Sequence, residues 1–372
     1  MLNAFSIMHR KSFFKKYYNK GEIIIMNESK RKRIFTLQWH ITDACDQRCK
    51  HCYIFRGEDK KKLSKFDKKT MKAVAYDFIH TCELMDCRPY FTITGGDPLL
   101  FSNIWELLEL IHENNAQFAI LGNPFHLNSE VISRLEDLGC TFYQMSLDGL
   151  KETHDAIRKK GSFDATIESM KYFQSSKIRL AIMSTVSKLN FNELPELVDI
   201  IVKNGANSYG FARFCPMEND YSQMVSPEEY KEFLDKMWKK FTYYKDSNTR
   251  FVLKDHLWKL YLYEKGIFNP CKLHNPDNLI LDGCHCGISH LTCLSNGTVY
   301  ACRRSETPIG TVPEQSFYDI FNGATLEQYR QYDRFEACSK CELKNFCRGC
   351  PSVTKSLTGN FYAKDPQCWK TI

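Results

Sequence analysis

Residues 42–55 read TDACDQRCKHCYIF and place three thiols at Cys45, Cys49 and Cys52, a C-x3-C-x2-C run closed by the aromatic Tyr53. Soft thiolates this close together wrap one metal centre and suit an iron–sulfur cluster or zinc. The number of thiols separates the two. A cubane has four irons, so three local cysteines leave one iron open to a ligand that is not protein. A closed zinc site wants a fourth ligand, and His51 is the nominal candidate. Such a knuckle normally pairs with a second one further along the chain.

Outward from this loop the chain alternates strand-sized and helical runs. Apolar runs of strand length occur at 35–39, 90–93, 118–121, 141–146, 179–186 and 208–214. Between them lie helical periods. Val131, Ile132, Leu135 and Leu138 share one helical face ahead of Gly139, and Leu194, Leu197, Val198 and Ile201 share another ahead of Gly205. Six βα units predict an α/β fold, a partial (β/α)6 TIM-type barrel, with active residues in loops at the carboxyl ends of its strands. The thiol loop follows the first of these strands.

The second strand runs into Gly95-Gly96-Asp97-Pro98, where two glycines allow close backbone approach and a carboxylate follows. Leu121-Gly122-Asn123-Pro124 follows the third strand, and Ser146-Leu147-Asp148-Gly149 follows the fourth. The latter continues through His154-Asp155 and Arg158 to Gly161-Ser162-Phe163. Read plainly, these are turns, and Asp155 with Arg158 is a helical i, i+3 pair.

Together these segments resemble the radical S-adenosylmethionine (SAM) enzymes, with the cluster loop at 39–55. The resemblance implies that SAM chelates the open iron and is cleaved to a 5′-deoxyadenosyl radical. It makes Tyr53, Gly95, Gly96, Asp97, Asn123, Ser146, Arg158 and Asn190 candidates for holding SAM. Where the family carries Gly-Gly-Glu-Pro this chain has Asp97, one methylene shorter. Ser146 and Arg158 would take the SAM carboxylate, a role suited to a bidentate guanidinium. Asn190 would take the ribose hydroxyls.

A second cysteine field begins near residue 280. Cys284 and Cys286 precede Gly297-x4-Cys302, then Cys338-x2-Cys341-x5-Cys347-x2-Cys350, and Cys368 near the end. Ser295-Asn296-Gly297-Thr298 is a hairpin turn signal. This field resembles the SPASM extension of radical SAM maturases, which binds two auxiliary [4Fe–4S] clusters. The usual last spacing there is C-x3-C, against C-x2-C here. The resemblance implies one cluster on Cys302, Cys350 and the Cys284/Cys286 region, with Cys271 or Cys293 as substitutes for one of that doublet. The other cluster falls to Cys338, Cys341, Cys347 and Cys368. A zinc ribbon is the alternative, but its knuckles stand further apart than Cys341 and Cys347. Cys82, Cys87 and Cys140 are expected to be small buried residues. Cys215, leaving the sixth strand, is a candidate catalytic thiol or a buried structural one.

Residues 1–33 are expected to form a basic arm, too short for a leader-binding domain. The barrel spans 34–225, a helical connector 226–279 and the cysteine-rich domain 280–372. Ser226-Pro227-Glu228-Glu229 carries the signature of a helix start. Seventeen cysteines without an export signal favour metal ligation over disulfides. No apolar run approaches the roughly 20 residues of a membrane span, so a cytoplasmic protein is expected, with no membrane partner. The net charge of +7 is moderate, and no nucleic-acid partner is expected. The Lys-rich run from Lys60 to Lys69 reads as a solvated helix entry or a dock for an acidic peptide or electron donor.

The resemblance implies a peptide maturase. Hydrogen abstraction from a ribosomal precursor peptide would lead to an oxidative change such as a thioether or carbon–carbon crosslink. A flavodoxin- or ferredoxin-type donor would supply electrons. The rivals are formylglycine formation of the sulfatase-maturase type, tetrapyrrole modification in haem pathways and, outside enzymes, an iron–sulfur electron carrier.

Overall fold

The computed structural model of the chain describes residues 14–19, 22–27, 32–55, 66–216, 221–272, 280–305 and 307–371. Six parallel strands form the centre of the sheet: β3 (Arg33–Thr42), β4 (Cys87–Gly95), β5 (Gln117–Leu121), β6 (Cys140–Ser146), β7 (Arg179–Val186) and β8 (Ser208–Arg213). They match the six expected runs and stand side by side in chain order, as short right-handed crossovers dictate. Ahead of them, β1 (Phe14–Asn19) and β2 (Glu22–Asn27) form an antiparallel hairpin. After them come β9 (Arg250–Val252), β10 (His290–Cys293), β11 (Thr298–Tyr300) and β12 (Pro308–Thr311).

The sheet runs β12-β11-β10-β3-β4-β5-β6-β7-β8-β9-β1-β2. Thus β9 adds to β8 in parallel, and β10 adds to β3 in parallel, pairing His290 with Thr36 and Cys293 with Trp39. These two additions cover edges that would otherwise present unpaired backbone groups. The region expected to be a helical connector therefore contributes a strand as well as the helices Pro227–Tyr243 and Trp258–Glu264. Three residues are too short a run for periodicity to announce β9. The cysteine-rich region is likewise continuous with the barrel sheet through β10.

Alternation along β3 sorts the barrel. Phe35, Leu37, Trp39 and Ile41 are fully buried on the helix side, where Phe35 meets Phe78 of the helix Lys68–Leu84. Gln38 and His40, between them, face the interior. Helices begin and end as expected. Asn128 caps Ser129–Asp137, and Gly139 lies just beyond it at φ +82°. Ser226 and Glu229 form a reciprocal capping box on Pro227–Tyr243. Lys68 and Lys69 open the helix Lys68–Leu84, whereas Lys60, Lys61, Lys62 and Lys65 lie outside the described residues. Among the described residues no helix is long and apolar enough to cross a membrane.

Candidate active site

The thiol loop leaves β3 and is locked onto the end of β4 by backbone alone. Gly96 N–H donates to the Thr42 carbonyl and Asp97 N–H to the Ala44 carbonyl, each at 2.7 Å. A Cβ on Gly96 would stand 2.1 Å from the Ala44 carbonyl oxygen, and one on Gly95, at φ +140°, 2.2 Å from that of Thr42. The two glycines thus seat the loop itself, and they also reach the cavity wall.

The loop's side-chain contacts come from across the barrel. Asn123 donates from Nδ2 to Cys45 Sγ (3.3 Å) and to Asp46 Oδ1 (3.2 Å). Arg158 donates from Nη1 to Cys49 Sγ (3.7 Å) and from Nε to Asp148 Oδ2 (2.6 Å). Asp148 is fully buried, accepts from Thr185 N–H (2.7 Å) and faces His51 Nε2 at 3.5 Å. Burial alone would raise its pKa. The positive charge of Arg158, then of His51, outweighs that and holds it below the ordinary value.

Above the strands opens one cavity of about 690 Å³. Its wall carries Cys45, Cys49 and Cys52 at one end and Cys284, Cys286, Cys302 and Cys350 at the other, with Tyr53 packed beside Cys350 and Cys215. The Cys286 thiol hydrogen-bonds to both Cys284 and Cys302, and Cys350 packs against Cys215 and Val353. The other thiols gather separately, Cys338 beside Cys341 and Cys368, and Cys347 beside Cys338 and Cys368. Arg213, at the end of β8, reaches into this region. Its Nε donates to Asp255 at 2.9 Å, and Nη1 and Nη2 grip both oxygens of Asp365 at 3.1 and 2.9 Å. Asp365 Oδ2 in turn accepts from Cys350 N–H at 2.8 Å.

Residues 39–201 match the radical SAM superfamily, and residues 284–351 match the SPASM iron–sulfur cluster-binding domain. The chain is a radical SAM/SPASM enzyme. It is 25% identical over 344 residues to an AdoMet-dependent heme synthase of Methanosarcina barkeri, covering 89% of this chain and 95% of that protein. It is 26% identical over 347 residues to the mycofactocin maturase MftC of Mycolicibacterium smegmatis, covering 89% and 82%. In fold it is similar to Streptococcus suis SuiB bound to precursor peptide SuiA, with a TM-score of 0.71, 18% identity and coverage of 91% and 76%.

The cofactors of this enzyme are [4Fe–4S] clusters and SAM, and the thiols present fit them. Three thiols at the loop and the clustered thiols of the second field are the soft ligands that iron–sulfur centres take. Burial pushes the Cys49 thiol up to about 11, and a bound iron would hold it as the thiolate. The zinc knuckle, the zinc ribbon and the non-enzymatic carrier all fall with these findings.

The remaining candidates divide. Ser146 lines the cavity at the end of β6. Asp97 does not line it. Its Oδ1 accepts from Leu99 N–H (3.1 Å), and its fully buried carboxyl, raised to about 6 by burial, sits beside Asp46 and His126 beneath the loop. Nor does Asn190 line it. Its amide is used locally, accepting from Ser187 N–H and donating to the carbonyls of Asp148 and Thr185. Cys215 is buried and off the wall. Asp155 turns from Arg158 to accept from Gly161 and Phe163 N–H, so the helical pair does not form. Cys293 donates to the Leu294 carbonyl within the core, and Cys271 is exposed. Cys82, Cys87 and Cys140 are buried. Asp148, Lys254, Arg303 and Arg304 were not singled out from sequence. The one signal for the basic wall was Gln38 and His40, polar at period two inside an apolar strand.

Proposed function

We propose that this enzyme matures a ribosomally made peptide by abstracting hydrogen from it, leading to an oxidative change such as a thioether or carbon–carbon crosslink. When bound, the reduced cluster at the loop supplies the electron that cleaves SAM to the 5′-deoxyadenosyl radical. The observation that carries the reading is that the loop thiols and the thiols of the second field share one cavity. A substrate lying between them has a hydrogen acceptor at one end and an electron sink at the other. The maturase relative and the likeness to SuiB support the same reading.

Within it, Cys45, Cys49 and Cys52 hold the SAM-binding cluster. Cys284, Cys286, Cys302 and Cys350 hold one auxiliary cluster, and Cys338, Cys341, Cys347 and Cys368 the other. Gly95, Gly96, Ser146 and Tyr53 border SAM. Asn123 and Arg158 position loop thiols, while Asp97 and Asn190 are structural supports and Cys215 is a packing residue. The domain limits are 34–225, 226–279 and 280–372, and the electron donor is a small flavodoxin- or ferredoxin-type protein.

A second reading, tetrapyrrole modification, is favoured by the heme synthase relative, which aligns over nearly its whole length. Reconstituted enzyme with SAM and dithionite decides between them. A precursor peptide from the neighbouring genes should yield 5′-deoxyadenosine and lose two hydrogens per crosslink. Loss of carbon dioxide together with two hydrogens from iron coproporphyrin III, with the peptide unchanged, would replace the first reading by the second.

A further inference from the structure

The inner wall of the cavity is basic and lacks the acids that would balance it. His40 on β3 is 6% exposed, and both its ring nitrogens are buried without a hydrogen-bond partner. A neutral imidazole offers one donor and one acceptor, and leaving them unmet in the interior is unfavourable. The charged groups that face His40 are Arg303 and His290, and those that face His290 are His285 and Lys254, all of them basic. Arg303 has its Nε buried and unpartnered, with its guanidinium 5.5 Å from the centre of the Tyr53 ring. The two carboxylates on the cavity wall are engaged elsewhere, Asp255 with Arg213 and Asp282 with Lys259, each at 2.9 Å.

The second thiol field accounts for Lys254 in part, since that side chain faces Cys302, but not for His40 and His290, whose charged neighbours are all basic. Arg304, facing Cys215, Cys302, Cys350 and Tyr53, is placed to answer the charge of the second thiol field. Ser146, on β6, is three strands from β3 in the sheet. The patch instead lies where the barrel's two ends meet, on β3, β10, the segment after β9 and the loop after β11.

We propose that His40, His290, Lys254 and Arg303 form a carboxylate-binding subsite that grips an acidic group of the substrate between the two thiol fields. The proposal rests on reading this cavity as the substrate chamber. Arg303 and Lys254 supply charge, and His40 supplies a directed N–H, so an ester or amide in place of the acid loses the grip. The acid has two sources: a side-chain or terminal carboxylate of a peptide, or the propionates of a tetrapyrrole.

The test is calorimetric titration of the reconstituted, SAM-bound, full-length enzyme with two acids and their neutral counterparts. One pair is tetraglutamate against tetraglutamine amide, and the other is iron coproporphyrin III against its tetramethyl ester. At least one acid should bind while its neutral counterpart does not, and which acid binds assigns the source. Arg303→Gln and Lys254→Met should each weaken that binding roughly thirtyfold, with Arg303→Lys recovering much of it. Iron and sulfide content, measured on the same samples, separates loss of the subsite from loss of the fold. Failure of both acids to bind, or equal affinity in an Arg303→Gln/Lys254→Met double variant with full iron content, would overturn the proposal. Should the wild type modify a precursor peptide yet bind neither acid, the subsite falls and the maturation reading stands.

Discussion

Arg158, partly buried, and Arg213, fully buried, are both guanidiniums paired to carboxylates beside a cysteine, one at each end of the cavity, yet they are built differently. Arg158 meets Asp148, ten positions earlier on the same βα unit, and touches Cys49 directly. Arg213 meets Asp255 and Asp365, 42 and 152 positions away, and reaches Cys350 only through Asp365. The first pair is a local device that orients a loop. The second is a clamp that ties the end of the barrel to the end of the chain. Removing a local device should change the chemistry of the loop, whereas removing a clamp should loosen the molecule.

The largest effect is therefore expected at Arg213. Arg213→Met strands two buried carboxylates without a counter-ion, which costs about 3–5 kcal/mol. Denaturant unfolding should show that loss, and iron analysis should show depletion beginning at the second thiol field. A stability change below about 1 kcal/mol would mean that the clamp is dispensable.

Asp148→Asn comes next, at about 2 kcal/mol at pH 7, since it removes charge-assisted hydrogen bonds. It also has a pH signature. The native carboxyl lies below its ordinary value of 3.8, so its contribution is full above that pH and is lost as pH falls towards the native pKa. Wild-type stability should drop below about pH 4, and the variant should show a shallower acid limb. Equal acid limbs would place Asp148 outside the electrostatics of the loop.

The smallest effect is at Asn123, whose amide donates to Cys45 Sγ. An N–H facing a cluster sulfur favours the reduced state, so Asn123→Ala should lower the potential of the loop cluster. A hydrogen bond worth about 1 kcal/mol corresponds to about 40 mV for one electron. A redox titration followed by electron paramagnetic resonance reads it directly, and an unchanged potential would leave Asn123 only a structural role.

Much of the fold was legible because its signals are local. Six apolar runs with helical periods between them sufficed for the barrel, and Ser226 with Glu229 announced its helix within four residues. The motif readings needed more care. Gly95 and Gly96 read as a ligand seat, yet their nearest neighbours are Thr42 and Ala44 of the thiol loop. Asp97 and Asn190 read as cofactor contacts; in the fold Asp97 gives Oδ1 to the Leu99 N–H and keeps Oδ2 buried without a hydrogen-bond partner, and Asn190 spends its amide on neighbouring backbone. A one-dimensional motif names which residues stand near a ligand but not which way each side chain turns.

By itself, the order of residues determined the thiol chemistry, the βα alternation and the presence of a second cysteine field, because each depends on spacings of a few residues. Only the tertiary structure decided that β9 and β10 complete the sheet, that both thiol fields open on one cavity, and that His40, Lys254, His290 and Arg303 converge there. Those contacts join residues up to some 260 positions apart. Periodicity carries no information over such distances, whereas the curling of the sheet into a partial barrel brings them together.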